Sequence, residues 1–135
     1  AQSYSLFQNM DGLTYIDMRP FDTSGLVNAS GMFSSCDNLT GVNLSQMNTQ
    51  NVTSMSRMFA DCKNLSSLDL SSFNTGSVTS MYQMFYNDEK LTSVKYGSGF
   101  VYRSGCDTGL MFYHCPANKP AWNGTWTSRG EFTPS

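Results

Sequence analysis

The most constraining feature of the sequence is a 26-residue period. A Met-Phe pair recurs at steps of 26, 26 and then 27 residues, beginning at Met32, Met58, Met84 and Met111. Leu6-Phe7 stands in the preceding register. Other apolar columns keep the same step, including Leu13, Leu39, Leu65 and Leu91, and Ile16, Val42, Leu68 and Val94. One short unit cannot bury its apolar face alone, whereas stacked units share a continuous core. The period therefore predicts a solenoid.

Each repeat is expected to contain one short strand and one short helical turn. Residues 65–70 have the form LxxLxL, in which Leu68 and Leu70 point inward and Asp69 outward. Equivalent strands are expected at 16–18, 42–44 and 94–96, paired in parallel, one per coil. Residues 54–62 space their apolar side chains at three and four, which predicts a helical turn on the opposite side. Residues 52–53 and 78–79 are expected to add a second extended segment. The predicted fold class is an α/β-type solenoid.

The two ends of the chain differ from the regular repeats. We predict a leucine-rich-repeat-like solenoid of about four coils over residues 1–96 and an irregular C-terminal repeat with a cap over 97–135. Asn123-Gly124, between Trp122 and Trp126, is typical of a hairpin turn, so the tail is expected to lie across the last coil. The chain starts part-way into a repeat, and we expect further repeats or another domain before residue 1.

Composition excludes several classes of function. The net charge is −2, only 13% of residues are charged, and Lys and Arg form no cluster, which disfavours nucleic-acid binding. No apolar run is long enough for a transmembrane helix. Ser, Thr and Asn are abundant and suit a chain with many turns. The in-register pairs Asp22-Thr23, Asn48-Thr49 and Asn74-Thr75 are interpreted either as turn caps or as a polar stripe for a ligand.

The sulfur-containing residues fit a structural role. Cys36 and Cys62 share one column and are expected to be buried, and six of the nine Met residues fall in repeat columns, where packing is a simpler explanation than a redox or metal-binding stripe. Cys106 and Cys115 lie in the irregular segment, where a disulfide is a possible interpretation. No CxxC motif suggests zinc or thioredoxin-type chemistry.

No catalytic motif or cofactor site is predicted. His114 is the only histidine, and we interpret it as a cap residue; it would be the one seed for an enzyme. No phosphate-binding glycine loop is present. The column Asp17, Asn43 and Asp69 offers one oxygen ligand per coil, a poor calcium cage that Lys95 ends, so no metal is expected.

The repeat of residues 52–75 resembles the 26-residue repeat of bacterial surface proteins, the BspA-like leucine-rich repeat. The resemblance covers residues 6–96 and weakens toward Cys115. It implies a right-handed coil stack and a bacterial, extracellular or cell-surface location, with adhesion as the activity of some members and no catalytic residues to carry over. The chain shows no cell-wall sorting signal.

Two functions remain as hypotheses. The first is a non-enzymatic surface module that binds a host or bacterial protein or glycan, without inserting into the membrane. Its candidate binding face comprises the outward strand positions and two aromatic residues of the tail: Tyr15, Asp17, Asn43, Ser67, Asp69, Ser93, Lys95, Trp122 and Trp126. The second is a structural spacer or capping segment of a larger protein, in which both tryptophans pack into the cap.

Overall fold

A computed structural model describes residues 7–135 of the chain, so Leu6 of the Leu/Met column lies outside the described residues. This described part of the chain contains six strands: β1 (Tyr15–Asp17), β2 (Gly41–Asn43), β3 (Ser67–Leu70), β4 (Ser93–Tyr96), β5 (Gly124–Trp126) and β6 (Phe132–Pro134). Strands β1 to β4 each begin one residue before the segment predicted from the repeat. The pairs β1–β2 and β3–β4 are parallel, and β5–β6 is antiparallel.

Residues one repeat apart are neighbours in space. Rings of the Phe column stack at centroid separations of 5.6, 5.3, 5.9 and 5.0 Å, in the order Phe7, Phe33, Phe59, Phe85 and Phe112. Parallel bridges link Asn28 to Ser54, Ser54 to Ser80, and Ser80 to Asp107 on another side of the coils. These bridges lie just after the second extended segments predicted at 52–53 and 78–79. The buried residues of the apolar columns form one hydrophobic core cluster.

The segment predicted as a helical turn consists of tight turns instead. Residues 7–135 contain no helix. In residues 54–62, Met58 N–H donates to the Met55 carbonyl and Ala60 N–H to the Arg57 carbonyl, while Arg57 and Asp61 have φ values of 56° and 59°. An α-helix contains no such left-handed residues. Phe59 N–H donates to the Met84 carbonyl in the next repeat. In a helix this N–H would instead bond to a carbonyl four residues earlier.

Threonine hydroxyls join the coils at a second turn. Thr49 Oγ1 accepts from the backbone N–H of Asn74 at 2.8 Å and donates to the Asn74 carbonyl at 2.9 Å. Thr75 Oγ1 makes the same pair of bonds with Val101, both at 2.7 Å. The residue before each threonine caps its own turn, because Asn48 Oδ1 accepts from the backbone N–H of Gln50. The Asx-Thr pairs therefore act as turn caps and inter-coil links.

The strand ladder is interrupted between β2 and β3. Residues 40–44 make no backbone hydrogen bond to residues 66–70, although the neighbouring strands on each side are paired. The links here are made by side chains: Asn64 Nδ2 donates to the Asp37 carbonyl at 2.7 Å, and Ser72 Oγ to the Leu44 carbonyl at 2.7 Å. The expectation of one uninterrupted parallel ladder is wrong at this junction. A shallow opening results on the strand face.

The C-terminal tail forms a hairpin that lies over the last Phe ring of the column. Its turn spans residues 127–131, closed by the Thr127 N–H donating to the Glu131 carbonyl at 2.8 Å. The prediction of a turn at Asn123-Gly124 is wrong, because Gly124 begins β5. A Cβ at Gly124 would lie 2.4 Å from the Thr133 carbonyl oxygen, so this glycine permits close strand contact rather than a turn.

Candidate functional site

The outward residues of the strand face form two separate rows of neighbours. Register pairs Asp17 with Asn43 in one strand pair, and Ser67 with Ser93 and Asp69 with Lys95 in the other. Across the interrupted junction, Asp69 lines the same groove as Tyr15 and Asn43. The structure thus brings three predicted residues, Tyr15, Asn43 and Asp69, to one concave feature.

Asparagine and aspartate side chains on this face are held by the turn that follows each strand. Asn43 Oδ1 accepts from the N–H and the hydroxyl of Ser45, at 3.0 and 2.7 Å. Asp69 Oδ1 accepts from the same groups of Ser71, at 3.0 and 2.6 Å, and these bonds lower the pKa of Asp69. One oxygen of each side chain therefore has a structural role, which fixes the direction of the remaining polar atom.

Asp17 has an additional partner, with which it forms an ion pair. Its carboxylate accepts from the Arg19 guanidinium in a pair of bonds, with Oδ2 to Nη2 at 2.8 Å. These hydrogen bonds lower the pKa of Asp17 to about 2. The pair is neutral as a whole, and it leaves Asp17 less free to meet a ligand than Asn43 or Asp69.

The groove between β2 and β3 has a volume of about 280 Å³. It is lined by Tyr15, Val42, Asn43, Leu44, Ser45 and Asp69. Val42 is only partly buried, whereas its repeat equivalents Ile16, Leu68 and Val94 are at most 5% exposed. The interruption of the ladder therefore exposes an apolar side chain at the groove, below a polar rim.

Tyr15 is the most exposed large side chain of this region. Its side chain is 55% exposed, and its ring lies beside Gly41 of the next strand, where a Cβ would come within 3.3 Å of the ring. The absence of a side chain at Gly41 gives the ring room to lie across the neighbouring strand. Sequence reasoning named Tyr15 but missed Gly41 and Val42. The sequence did hold a signal: the repeat position that is Tyr15 in β1 is glycine in β2 and serine in β3 and β4.

The two tryptophans are engaged in the cap. Trp122 stacks on Phe100 at 5.8 Å and on Trp126 at 5.7 Å, and its Nε1 donates to the Phe100 carbonyl at 3.3 Å. Trp126 packs edge-on against Phe112, the last ring of the Phe column, at 5.2 Å. Lys119 Nζ lies 5.3 Å from the centre of the Trp126 ring. Both rings are thus partly buried and already in contact with other side chains.

Two larger clefts lie beside the cap. The first, of about 750 Å³, is bordered by Tyr96, Phe100 and Trp122. The second, of about 590 Å³, is bordered by Glu89, His114 and Cys115. Burial raises the pKa of the Cys115 thiol to about 12, so the thiolate that nucleophilic chemistry needs is disfavoured at neutral pH. His114 is exposed, and its Nδ1 lies 3.2 Å from Asn87 Oδ1.

The cysteines are free thiols in this structure. Cys106 and Cys115, the pair considered for a disulfide, make separate contacts: Cys115 Sγ lies 3.8 Å from the Leu91 carbonyl oxygen, and Cys106 Sγ lies 4.0 Å from that of Asp107. Burial also raises the pKa of Cys106, to about 11. Cys36 and Cys62 are fully buried in the core, as their repeat column indicated.

Within residues 7–135, no group of three or more histidine, cysteine, aspartate or glutamate side chains is arranged to hold a metal ion. In the column Asp17, Asn43 and Asp69, each Oδ1 atom accepts a hydrogen bond from the backbone N–H two residues later, in the turn that follows the strand. The same part of the chain has no helix long and apolar enough to cross a membrane.

Comparison with known proteins gives one match. No curated protein and no solved structure matches the sequence. A family model described as "Mycoplasma protein of unknown function, DUF285" matches residues 2–126, a range that includes β1 to β5. The chain therefore belongs to this bacterial repeat family.

Proposed function

We propose that this chain is a non-enzymatic module of a bacterial surface protein and that it binds a protein or glycan partner through its strand face. The observation that carries the proposal is the groove between β2 and β3, where an exposed tyrosine ring, an amide and a carboxylate meet. Binding sites combine apolar surface with a few well-placed polar groups in this way. Adhesion to a host or bacterial surface is the activity that such a module would serve.

The finer family assignment is part of this proposal. The 26-residue spacing and the LxxLxL strands support a BspA-like, leucine-rich-repeat-type solenoid. In this solenoid the coils form a right-handed stack, and residues 97–135 form the C-terminal repeat and cap. An extracellular or cell-surface location follows from the same resemblance. The raised pKa values of Cys106 and Cys115 favour binding over thiol catalysis.

A spacer or capping role is the second candidate, and a specific observation favours it. Trp122 and Trp126 pack on Phe100 and Phe112 and are therefore used in closing the stack. The predicted strand-face residues that do not line the groove are Asp17, Ser67, Ser93 and Lys95, of which Asp17 is paired with Arg19. In this alternative the chain only extends or ends another domain.

Binding of the purified chain to immobilised matrix proteins and glycans separates the two candidates. A specific ligand should be lost with Tyr15→Ala and kept with Tyr82→Ala, which removes an exposed tyrosine (37% exposed) that does not line the groove. Equal binding by both variants would place the contact elsewhere. Failure of the unaltered chain to bind any component would favour the spacer.

A further inference from the structure

We propose that the groove between β2 and β3 binds one hexopyranose ring of a neutral glycan. This inference rests on the proposed function, because it names the ligand class of the same face. It is carried by three features of the groove: an exposed aromatic platform, a donor and an acceptor that the protein leaves without partners, and a negative charge on the rim.

The platform is the ring of Tyr15. The ring lies beside Gly41, where an added Cβ would come within 3.3 Å of it, and Tyr15 is 55% exposed to solvent. The faces of aromatic rings carry negative charge density, which attracts the weakly positive C–H groups of a sugar's apolar face. Val42 adds a partly exposed apolar surface beside the ring. A flat ligand with C–H groups on one side fits this surface.

The polar groups are Asn43 and Asp69. Their Oδ1 atoms accept from Ser45 and Ser71, whereas Asn43 Nδ2 and Asp69 Oδ2 have no hydrogen-bond partner among residues 7–135. A sugar hydroxyl both donates and accepts, so adjacent hydroxyls can meet one donor and one acceptor. Because the turn caps already fix both side chains, little side-chain freedom is lost on binding.

The charge on the rim selects against acidic sugars. Asp17 is paired with Arg19, whereas Asp69 keeps a free carboxylate oxygen at the groove, with Lys95 as its cross-strand neighbour. The ordinary pKa of 3.8 already makes Asp69 ionised at neutral pH, and the hydrogen bonds from Ser71 lower its pKa further. An anionic ligand would therefore meet a like charge at close range. The volume of about 280 Å³ suits a single ring better than a folded peptide.

The test combines a glycan array with calorimetric titration of the glycans that bind the full chain. Asn43→Asp keeps the Oδ1 cap and removes the donor, and Asp69→Asn keeps the cap and removes the free acceptor. Asn48→Asp and Asp22→Asn are matched controls, since both residues cap turns outside the groove. We expect Tyr15→Ala, Asn43→Asp and Asp69→Asn each to weaken binding by about tenfold or more. Tyr15→Phe, which keeps the ring, should weaken it less than Tyr15→Ala.

Chemical-shift mapping on the unaltered chain keeps the test valid if a variant fails to fold. Addition of the neutral glycan should shift the amide signals of Gly41, Asn43 and Asp69 and leave that of Asn74 in place. Glycan binding that is insensitive to the groove variants, or a preference for acidic sugars, would overturn the inference. A protein ligand that requires Tyr15, with no glycan bound, would overturn it while the proposed function stands. If the unaltered chain bound neither a glycan nor a protein, both this inference and the proposed function would be overturned.

Discussion

Asp88 accepts a hydrogen bond from the backbone N–H of Cys62 at 2.8 Å, while its second carboxylate oxygen is buried without a partner. The preceding coils have Cys36 and Cys62 in this column, and their thiols donate to the carbonyls of Phe7 and Phe33. A carboxyl group therefore stands where the repeat has a neutral donor. Burial raises the pKa of Asp88 well above its ordinary value, and the nearby Asp61 adds to the rise.

Replacing Asp88 should stabilise the protein at neutral pH. A raised pKa in the folded state means that the folded state holds the proton more tightly than the unfolded chain. The stability contributed by this proton is fully present below the ordinary pKa of 3.8 and is lost as the pH rises through the folded pKa. We expect Asp88→Asn and Asp88→Cys to raise the free energy of unfolding at pH 7 by about 1–3 kcal/mol.

Urea unfolding at pH 7 and near pH 4 checks this prediction. The gain from Asp88→Asn should shrink at the lower pH, where the unaltered carboxyl is protonated in the folded state and partly protonated in the unfolded chain. The pKa values of Asp17 and Asp69 are lowered, so these residues contribute less stability as the pH falls. This contribution is the same in the variant and the unaltered chain, and it cancels when their free energies of unfolding are subtracted at each pH. Glu89→Gln, at an exposed position, is the control. A pH-independent difference for Asp88→Asn would contradict the account.

Thr75 links two coils through its hydroxyl, which bonds both the N–H and the carbonyl of Val101 at 2.7 Å. Thr75 is fully buried, and Thr75→Val keeps its shape but leaves the Val101 N–H without its acceptor. We expect a loss of about 1–3 kcal/mol in the free energy of unfolding. Thr75→Ser, which keeps the hydroxyl, should lose less. A larger loss for Thr75→Ser than for Thr75→Val would mean that packing of the methyl group, rather than the hydrogen bonds, dominates.

Asn118 covers the free edge of β4. Its Oδ1 accepts from the Val94 N–H and its Nδ2 donates to the Val94 carbonyl, both at 2.7 Å, in the manner of a paired strand. Asn118→Asp replaces the donor with a second acceptor, so it should destabilise the protein by about 1–3 kcal/mol. An uncovered edge is also a template for pairing between chains. Sedimentation velocity should therefore show more self-association than in Asn123→Asp, and equal sedimentation of the two variants would argue against this role.

Ser35 adopts a left-handed backbone conformation, with φ of 59°, in a column that continues through Asp61 and Asn87. Residues with a Cβ are strained there, whereas glycine is not. Ser35 donates its backbone N–H to Ala60 of the next coil, and glycine keeps this bond. We expect Ser35→Gly to be about 1 kcal/mol more stable than Ser35→Ala. Thermal unfolding of the two variants gives the comparison, and a more stable alanine variant would contradict the assigned conformation.

The apolar columns of the sequence identified buried side chains, because each column repeats one chemical requirement. Phe33, Phe59 and Phe85 recur at a fixed step, and their rings stack in the structure. The sequence misplaced the local conformation of residues 54–62, since apolar spacings of three and four suit both a helix and a pair of tight turns. The deciding factor is that donors such as Phe59 N–H bond to the next coil, a tertiary effect that spacing does not encode.

The candidate site was predictable only in part. Alternation in the strands placed Tyr15, Asn43 and Asp69 outward, and the three line one groove. The groove itself depends on the interrupted pairing of β2 and β3, which the similar sequences of the repeats do not reveal. Trp122 could not be assigned from sequence either, because an aromatic residue in a tail suits a cap and a ligand contact equally.

Stacking of residues 26 positions apart underlies the groove, the threonine links and the cap alike, and nuclear Overhauser effects between aromatic rings measure it directly. The ring centroids of Phe33 and Phe59 lie 5.3 Å apart, and those of Phe59 and Phe85 lie 5.9 Å apart. We predict cross-peaks between the ring protons of each of these pairs, and none between Phe33 and Phe85, which are separated by a whole coil. Absence of both cross-peaks in the folded protein, or a direct cross-peak from Phe33 to Phe85, would contradict the stacked arrangement.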